Sequence, residues 1–184
     1  MPITVLDPNT ALVVIDLQRG IVGLPTVHPI AEVVANSAKL ARAFRERGRP
    51  VALVNVAGGA TGRSDAKQPA FTPPSNWTEL VPELDHQPSD LLATKYTWGA
   101  FHGTSLDLQL RRRGVTQIVL CGVATSIGVE STARAAHEHG YHVTLVRDAM
   151  TDLALETHTN SIERIFPRLG EVGTTSDVLA KLSS

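Results

Sequence analysis

The sequence predicts a doubly wound, Rossmann-like α/β domain with a six-stranded, mainly parallel sheet and helices on both faces. Short apolar runs alternate along the chain with amphipathic segments of helical periodicity. The first run, "ALVVID" at residues 11–16, is apolar up to its last residue, which is typical of a strand buried on both faces. The 184 residues contain no repeat or linker, so residues 1–184 are expected to form one domain.

The first half of the chain begins this alternation with the strand at residues 11–16. A helix is predicted from Pro29 to Arg47, because its apolar residues fall on one helical face and a glycine follows it. The run "PVALVNVA" (50–57) predicts the second strand. Residues 58–75 are rich in glycine, proline and small polar residues, which predicts a long loop.

The second half of the chain continues the same pattern. A third strand is predicted at residues 90–95, followed by a helix at residues 104–114 that ends on a glycine. The remaining predicted elements are a strand at 117–123, a helix at 126–140, a strand at 142–149, a helix at about 154–166, a short strand at 170–175 and a closing helix. In a parallel sheet of this kind, ligands bind beyond the carboxyl ends of the strands.

The composition excludes several classes of function. The chain is 42% hydrophobic and 19% charged with a formal net charge of −1, so no basic surface for nucleic acid is expected. No apolar run is long enough to span a membrane, and the N-terminal residues do not resemble a signal peptide. The single cysteine, Cys121, rules out an internal disulfide and fits a reducing cytoplasm, where we expect the protein to reside.

Asp16 and Lys95 are candidate site residues because each lies at the carboxyl end of a predicted strand. A carboxylate after five apolar residues is costly unless it is hydrogen-bonded or paired. Asp16 is therefore either a capped strand end or part of a structural ion pair, or else a general acid or base with a shifted pKa. Lys95 is either a solvated strand-end lysine or the partner of Asp16. If its strand lies two places from the first, Lys95 must reach across roughly 10 Å.

Gly128 is the third candidate, since it lies where the fourth strand passes into a helix. Backbone N–H groups at a helix N-terminus can hold an anion or oxyanion without any side chain. The alternative is that glycine here only permits close packing against a strand. Cys121, inside the preceding strand, is a poor nucleophile candidate because such thiols are usually buried and inert.

The other signals in the sequence are weaker. Arg63 could hold a substrate carboxylate, although a loop arginine is usually solvated. Tyr96, Trp98 and Phe101 cluster after Lys95 and form either core or pocket wall. The segment "GGATG" (58–62) matches no phosphate-binding motif, and no histidine pair has metal-ligand spacing. We therefore expect neither a cofactor nor a metal.

Taken together, these strand ends resemble the isochorismatase-like hydrolase family, also called the cysteine hydrolase superfamily. The resemblance covers nearly the whole chain and rests on three segments: "VVIDLQRGIV", "TKYTWGAFHGTSLDLQLRRRGVTQIVLCGVAT" and "VESTARAAHEHGYHVTLVRDA". It implies a catalytic role for Asp16 and Lys95, and a non-proline cis peptide bond between Val123 and Ala124. The residues expected to bind substrate or the oxyanion are, in all, Val123, Ala124, Thr125, Gln18, Tyr96, Trp98 and Arg63.

The chain departs from the family at the third catalytic position. Most relatives carry a nucleophilic cysteine three residues after the Thr of "GVAT", where this chain has Gly128. The namesake isochorismatases resemble the chain in having glycine there, and they hydrolyse a vinyl ether. That resemblance implies acid catalysis by Asp16 and substrate anchoring by Lys95. It also implies that Gly128 leaves space for the substrate and contributes a backbone N–H. One tension is that Lys95 should lower the pKa of Asp16, whereas a general acid needs it raised.

Two alternatives stay open. The motif "GVATS" is similar to that of the cysteine-dependent branch of the family, so the chain could be a C–N hydrolase whose nucleophile is replaced by Gly128. It could also be a non-catalytic protein that binds a small carbonyl or carboxylate compound. In each case the partner is a small molecule, and the resemblance implies a homo-oligomer, either a dimer or a tetramer.

Overall fold

The computed structural model describes residues 3–65 and 72–182, and its core is a six-stranded parallel sheet in the order β3-β2-β1-β4-β5-β6. All five strand pairings are parallel. This is the strand order of a doubly wound fold, so the predicted fold class is confirmed. The strands are β1 (Thr10–Ile15), β2 (Val51–Val56), β3 (Leu91–Lys95), β4 (Gln117–Val123), β5 (His142–Thr151) and β6 (Glu171–Gly173).

Helices cover both faces of this sheet. They are α1 (Arg19–Val22), α2 (Ile30–Glu46), α3 (Leu106–Arg112), α4 (Glu130–Glu138), α5 (Leu155–Asn160) and α6 (Thr175–Leu182). The predicted helix at 126–140 is shorter than expected, because a π-helical turn (Thr125–Val129) precedes α4. In the same way a second π-helical turn (Ser161–Ile165) follows α5. None of the described helices has the length and apolar character needed to cross a membrane.

The central strand β1 divides the core into two apolar layers. Leu12 and Val14 pack with Phe44 of α2 and Val178 of α6 on one face. The alternate residues of β1 pack on the other face with residues of α3 and α4. Since successive side chains of a strand point to opposite faces, an uninterrupted apolar strand buries both. The apolar run noted in the sequence is therefore the middle of the sheet.

Gly122 brings β4 unusually close to β1. Its φ of +117° is a conformation that side chains rarely adopt, and a Cβ there would overlap the carbonyl oxygen of Ile15. The pairing of β4 with β5 also changes register between Leu120 and Gly122. Close approach at Gly122 thus fixes where β4 ends and where the turn after it begins.

The substitution Gly122→Ala should be strongly destabilising, because it adds both backbone strain and a steric overlap with Ile15. We expect the free energy of unfolding to fall by more than about 3 kcal/mol, measured by urea denaturation. Gly140→Ala is the matched control: its φ is also positive, at +81°, but a Cβ there meets nothing within 4 Å. The control should lose only about 1–2 kcal/mol. Equal losses in the two variants would contradict the steric argument.

Candidate active site

Asp16 and Lys95 meet at the carboxyl edge of the sheet. Lys95 Nζ lies 2.7 Å from Asp16 Oδ2, and the two residues are 2% and 5% exposed, respectively. The side chain of Lys95 crosses the end of β2 to reach Asp16, because β3 lies two places from β1. Lys95 Nζ also donates to the carbonyl oxygen of Thr97 at 3.3 Å. The two charged residues predicted from separate strand ends therefore form one buried ion pair.

The backbone of Asp16 has a conformation that is rare for a residue with a side chain. Its φ is +53°, in the left-handed region. Its N–H donates to the carbonyl oxygen of Val54, and its carbonyl oxygen accepts from the N–H of Gln18, both at 2.9 Å. Such residues cost about 1–3 kcal/mol each and cluster at functional sites. Here the strained residue turns the chain at the end of β1 and holds the carboxyl group next to Lys95.

The carboxyl group of Asp16 is protonated more readily than an ordinary aspartic acid. Burial raises its pKa from 3.8 to about 6, although the charge and hydrogen bond of Lys95 act to lower it. Removal from water therefore outweighs the lysine, which resolves the tension noted from the sequence. Asp16 Oδ1 is buried and has no hydrogen-bond partner among the described residues. A proton on Oδ1 would satisfy that oxygen as a donor to a bound molecule.

Gly128 lies in the π-helical turn Thr125–Val129, directly against Asp16. A Cβ at this position would be 3.0 Å from Ile15 Cγ2, 3.2 Å from Asp16 Oδ2 and 3.4 Å from the carbonyl oxygen of Val123. A side chain at residue 128 would thus begin beside the carboxyl group, in a space that is tight by a few tenths of an ångström. Gly128 itself therefore presents only backbone to Asp16.

A cavity of about 490 Å³ opens over these three residues. Its size is in the range of small-molecule sites, and its walls are mainly apolar. The charged groups among its described lining residues are Asp16 and Lys95. Both tryptophans of the chain, Trp77 and Trp98, line it. The other lining residues are Ile21, Leu24, Val56, Ala57, Gly58, Gly59, Pro73, Thr97, Val123, Ala124, Ile127, Gly128 and Leu153.

Three of the residues expected to bind substrate or oxyanion line this cavity, namely Val123, Ala124 and Trp98. The peptide bond between Val123 and Ala124 is cis, as the resemblance implied. Tyr96 and Arg63 are exposed and are not among the lining residues. Tyr96 instead packs its ring over Gly58, within 3.0 Å of where a Cβ would lie.

Gln18 and Thr125, also expected to bind substrate or oxyanion, contact protein groups instead. Gln18 is fully buried, and its side-chain amide makes three hydrogen bonds to backbone: Oε1 accepts from Val56 N–H, and Nε2 donates to the carbonyl oxygens of Val56 and Trp77. Thr125 is also fully buried, and its hydroxyl lies 2.9 Å from Nδ1 of His158. Gln18 thereby ties the segment around Trp77 to the end of β2.

Several residues that line the cavity, above all Trp77, were not predicted from the sequence. This tryptophan lies in the segment after the long loop, and its indole ring occupies the space that a side chain on Gly20 would need. Leu153 could have been found by the strand-end rule, since it follows β5 by two residues. Trp77 could not, because its position depends on tertiary hydrogen bonds to Gln18 and Gly20.

Cys121 is fully buried inside β4, and burial raises the pKa of its thiol to about 12, so it is not a nucleophile for this cavity. Residues 3–65 and 72–182 contain no group of three or more His, Cys, Asp or Glu side chains arranged to hold a metal ion.

Comparisons with known proteins find relatives over nearly the whole chain. A family model described as the isochorismatase domain matches residues 10–177. The chain is 46% identical to YecD of Escherichia coli O157:H7, an uncharacterized isochorismatase family protein, over 95% of this chain and 96% of that one. It is 31% identical to the phenazine biosynthesis protein PhzD1 of Pseudomonas aeruginosa, over 95% of this chain and 87% of that one.

Solved structures and a shorter match extend this similarity. An isochorismatase family protein from Burkholderia thailandensis superposes with a TM-score of 0.94 at 46% identity, covering 100% of this chain and 99% of that one. The ureidoacrylate amidohydrolase RutB of Rhizobium rhizogenes is 33% identical, over 56% of this chain and 43% of that one.

The raised pKa of Asp16 predicts how stability depends on pH. The folded state binds this proton more tightly than the unfolded state, so the stabilisation is fully present below pH 3.8 and is lost as the pH rises through about 6. Relative to Asp16→Asn, which cannot titrate there, the wild-type free energy of unfolding should fall by up to about 3 kcal/mol between about pH 4 and 7. Urea denaturation of both proteins across this range checks it. A difference that stays constant or grows in favour of the wild type would contradict the shift.

Proposed function

Because this chain belongs to the isochorismatase family of hydrolases, we propose that it cleaves a vinyl ether by acid-catalysed addition of water. The observation that carries the proposal is a buried carboxyl group, Asp16, whose pKa is raised to about 6 beside a position that has no nucleophile. Such a group is protonated in a substantial fraction of molecules near neutral pH. A relative from Bacillus subtilis named isochorismatase, 29% identical over 97% of this chain, supports the same reaction class.

The first step transfers the proton of Asp16 to the terminal carbon of the vinyl group. This leaves a positive charge shared between the adjacent carbon and the ether oxygen, and the ionised Asp16 stabilises that charge. Water then adds to the same carbon, and the hemiketal collapses to a ketone and an alcohol. For an enolpyruvyl ether the balance is R–O–C(=CH₂)–COO⁻ plus water giving R–OH and pyruvate. Asp16 regains its proton from the added water.

Lys95 anchors the substrate in this scheme. While Asp16 is ionised, the ammonium group of Lys95 is paired with it at 2.7 Å. Protonation of Asp16 removes that charge and leaves the ammonium group to bind the carboxylate of the substrate. Protonation of Asp16 therefore both supplies the acid and frees the Lys95 ammonium group to bind substrate. The apolar walls of the cavity, including Trp77 and Trp98, exclude water from the remainder of the substrate.

A C–N hydrolase is the second candidate, favoured by one observation. A Cβ at residue 128 would lie 3.2 Å from Asp16 Oδ2, where a cysteine thiol could transfer its proton to the carboxylate. In that reading the native chain lacks its nucleophile and has little activity on amides. The match to a ureidoacrylate amidohydrolase over about half of this chain is consistent with it.

Rate against pH should distinguish the two roles of Asp16. As a general acid, Asp16 must be protonated, so kcat/KM for pyruvate release from isochorismate should fall about tenfold per pH unit above about 6. Asp16→Asn should remove this activity. As a base, which is its role in the C–N hydrolase, Asp16 must be ionised, and the rate of pyruvate release would instead rise through the same pH. A rising profile would therefore overturn the acid mechanism.

A matched pair of substitutions at Gly128 tests the nucleophile directly. Gly128→Ala and Gly128→Cys both add a Cβ against Ile15 and Asp16, but only the second adds a thiol. We expect the wild type to release pyruvate, both variants to release it at least about tenfold more slowly because of crowding, and neither to release ammonia from small amides. Ammonia release by the cysteine variant alone, with no pyruvate from the wild type, would establish the C–N hydrolase instead.

A further inference from the structure

The turn formed by residues 123–128 lines one side of the active-site cavity and is hydrogen-bonded to other residues on its second side. Residues 123, 124, 127 and 128 line the cavity, whereas the side chains of Thr125 and Ser126 are not among its lining residues. The backbone N–H of Ser126 donates to Asp152 Oδ2 at 2.7 Å, and Asp152 Oδ1 accepts from the N–H of Leu153. Asp152 is 2% exposed. These contacts connect the turn to the carboxyl end of β5.

Two histidines complete this polar cluster: His158 is buried and His28 is half-buried. The Thr125 hydroxyl lies 2.9 Å from Nδ1 of His158, which is carried by α5. Nδ1 of His28 lies 3.2 Å from the hydroxyl of Thr151, and the two imidazole rings are 4.6 Å apart. Thr151 pairs with Val123 in the register of β4 and β5. Thr125 follows the end of β4 and Thr151 is the last residue of β5. Both threonines are buried, and each contacts a histidine.

We take both imidazoles as neutral, with each Nδ1 accepting from the neighbouring threonine hydroxyl. The hydroxyl oxygen of Thr151 accepts from the backbone N–H of His28 at 3.1 Å, so its hydrogen is available for Nδ1 of His28. Thr125 is fully buried, and a neutral imidazole offers its hydroxyl an acceptor at Nδ1. His158 also lines a second cavity of about 600 Å³, whose described lining includes neither Asp16 nor residues 123–128.

We propose that His158 is a positioning residue: by holding the hydroxyl of Thr125 it keeps the turn 123–128 packed against Asp16. The inference rests on the function proposed above, and it adds a residue that does not touch the substrate. If the contact between His158 and Thr125 is lost, the turn relaxes, water reaches the carboxyl group and the acid is less well protected. A misplacement of about 1 Å at a catalytic site can cost up to about a hundredfold in rate.

Protonation of His158 should release the turn, because a protonated Nδ1 can no longer accept from Thr125. Burial and the nearby His28 hold the pKa of His158 below its ordinary value of 6.5, while Asp152 acts against them. The other titratable or charged groups that share the second cavity with His158 are Glu32, Arg147, Asp148 and Glu163. The rate should therefore have an acidic limb from His158 in addition to the basic limb from Asp16, giving a bell-shaped profile.

The test uses His158→Ala, Thr125→Val and the conservative His158→Asn, whose side-chain oxygen occupies the position of Nδ1 and does not titrate. We expect kcat for pyruvate release to fall about tenfold or more in His158→Ala and Thr125→Val, with KM changed less. The double variant should lose no more than either single variant, since both remove one interaction. His158→Asn should keep most of the activity and lose the acidic limb. His86→Ala, at an exposed histidine, is the control.

A second measurement does not depend on the reaction. The pKa of Asp16, followed by NMR of its carboxyl carbon, should move toward its ordinary value in His158→Ala and Thr125→Val as water enters. It should stay near the wild-type value in His158→Asn and His86→Ala. An unchanged Asp16 pKa in His158→Ala, or additive losses in the double variant, would overturn the positioning role. If the wild type releases no pyruvate, the proposed function fails, and the Asp16 titration alone still decides this inference.

Discussion

The structure depends on burying Asp16 and Lys95 together at the carboxyl edge of the sheet, 2.7 Å apart. Each charge taken out of water costs several kcal/mol, and only a close, well-oriented partner offsets that cost. The strand order makes this possible, since β3 lies two places from β1 and a lysine side chain is long enough to cross β2. The same burial raises the pKa of Asp16 to about 6. The desolvation that costs free energy in folding therefore also makes this carboxyl group easier to protonate.

Glycine at two positions gives the ion pair its surroundings. Gly122 allows β4 to approach Ile15 closely, which fixes the end of the strand, and Gly128 leaves the face of Asp16 without a side chain. A carboxyl group bordered by backbone and apolar side chains is desolvated but can be reached from the cavity. In the proposed reaction such a group donates a proton, whereas a thiol at residue 128 would convert the same carboxylate into a base.

The turn between β4 and α4 joins this site to a second polar cluster. One side of the turn lines the cavity, and the other contacts Asp152 and His158. In the positioning role proposed for His158, a change on that second side of the turn alters the environment of Asp16 without contact with the substrate. The register of β4 and β5 pairs Val123 with Thr151, which places the cavity side of the turn next to the polar cluster of Asp152 and His158.

The sequence by itself determined the parallel sheet, its six strands, the strand-end placement of Asp16 and Lys95, and the placement of Gly128 between β4 and the following helix, because apolar periodicity and strand ends are local properties. The family resemblance added the cis bond before Ala124 and the significance of the missing cysteine. Only the tertiary structure decided that Gln18 ties down the segment at Trp77, that Tyr96 lies outside the cavity, and that Thr125 contacts His158. Trp77 follows Gln18 by 59 residues and His158 follows Thr125 by 33. Pairings over such separations are set by packing of the whole chain, which no local pattern encodes.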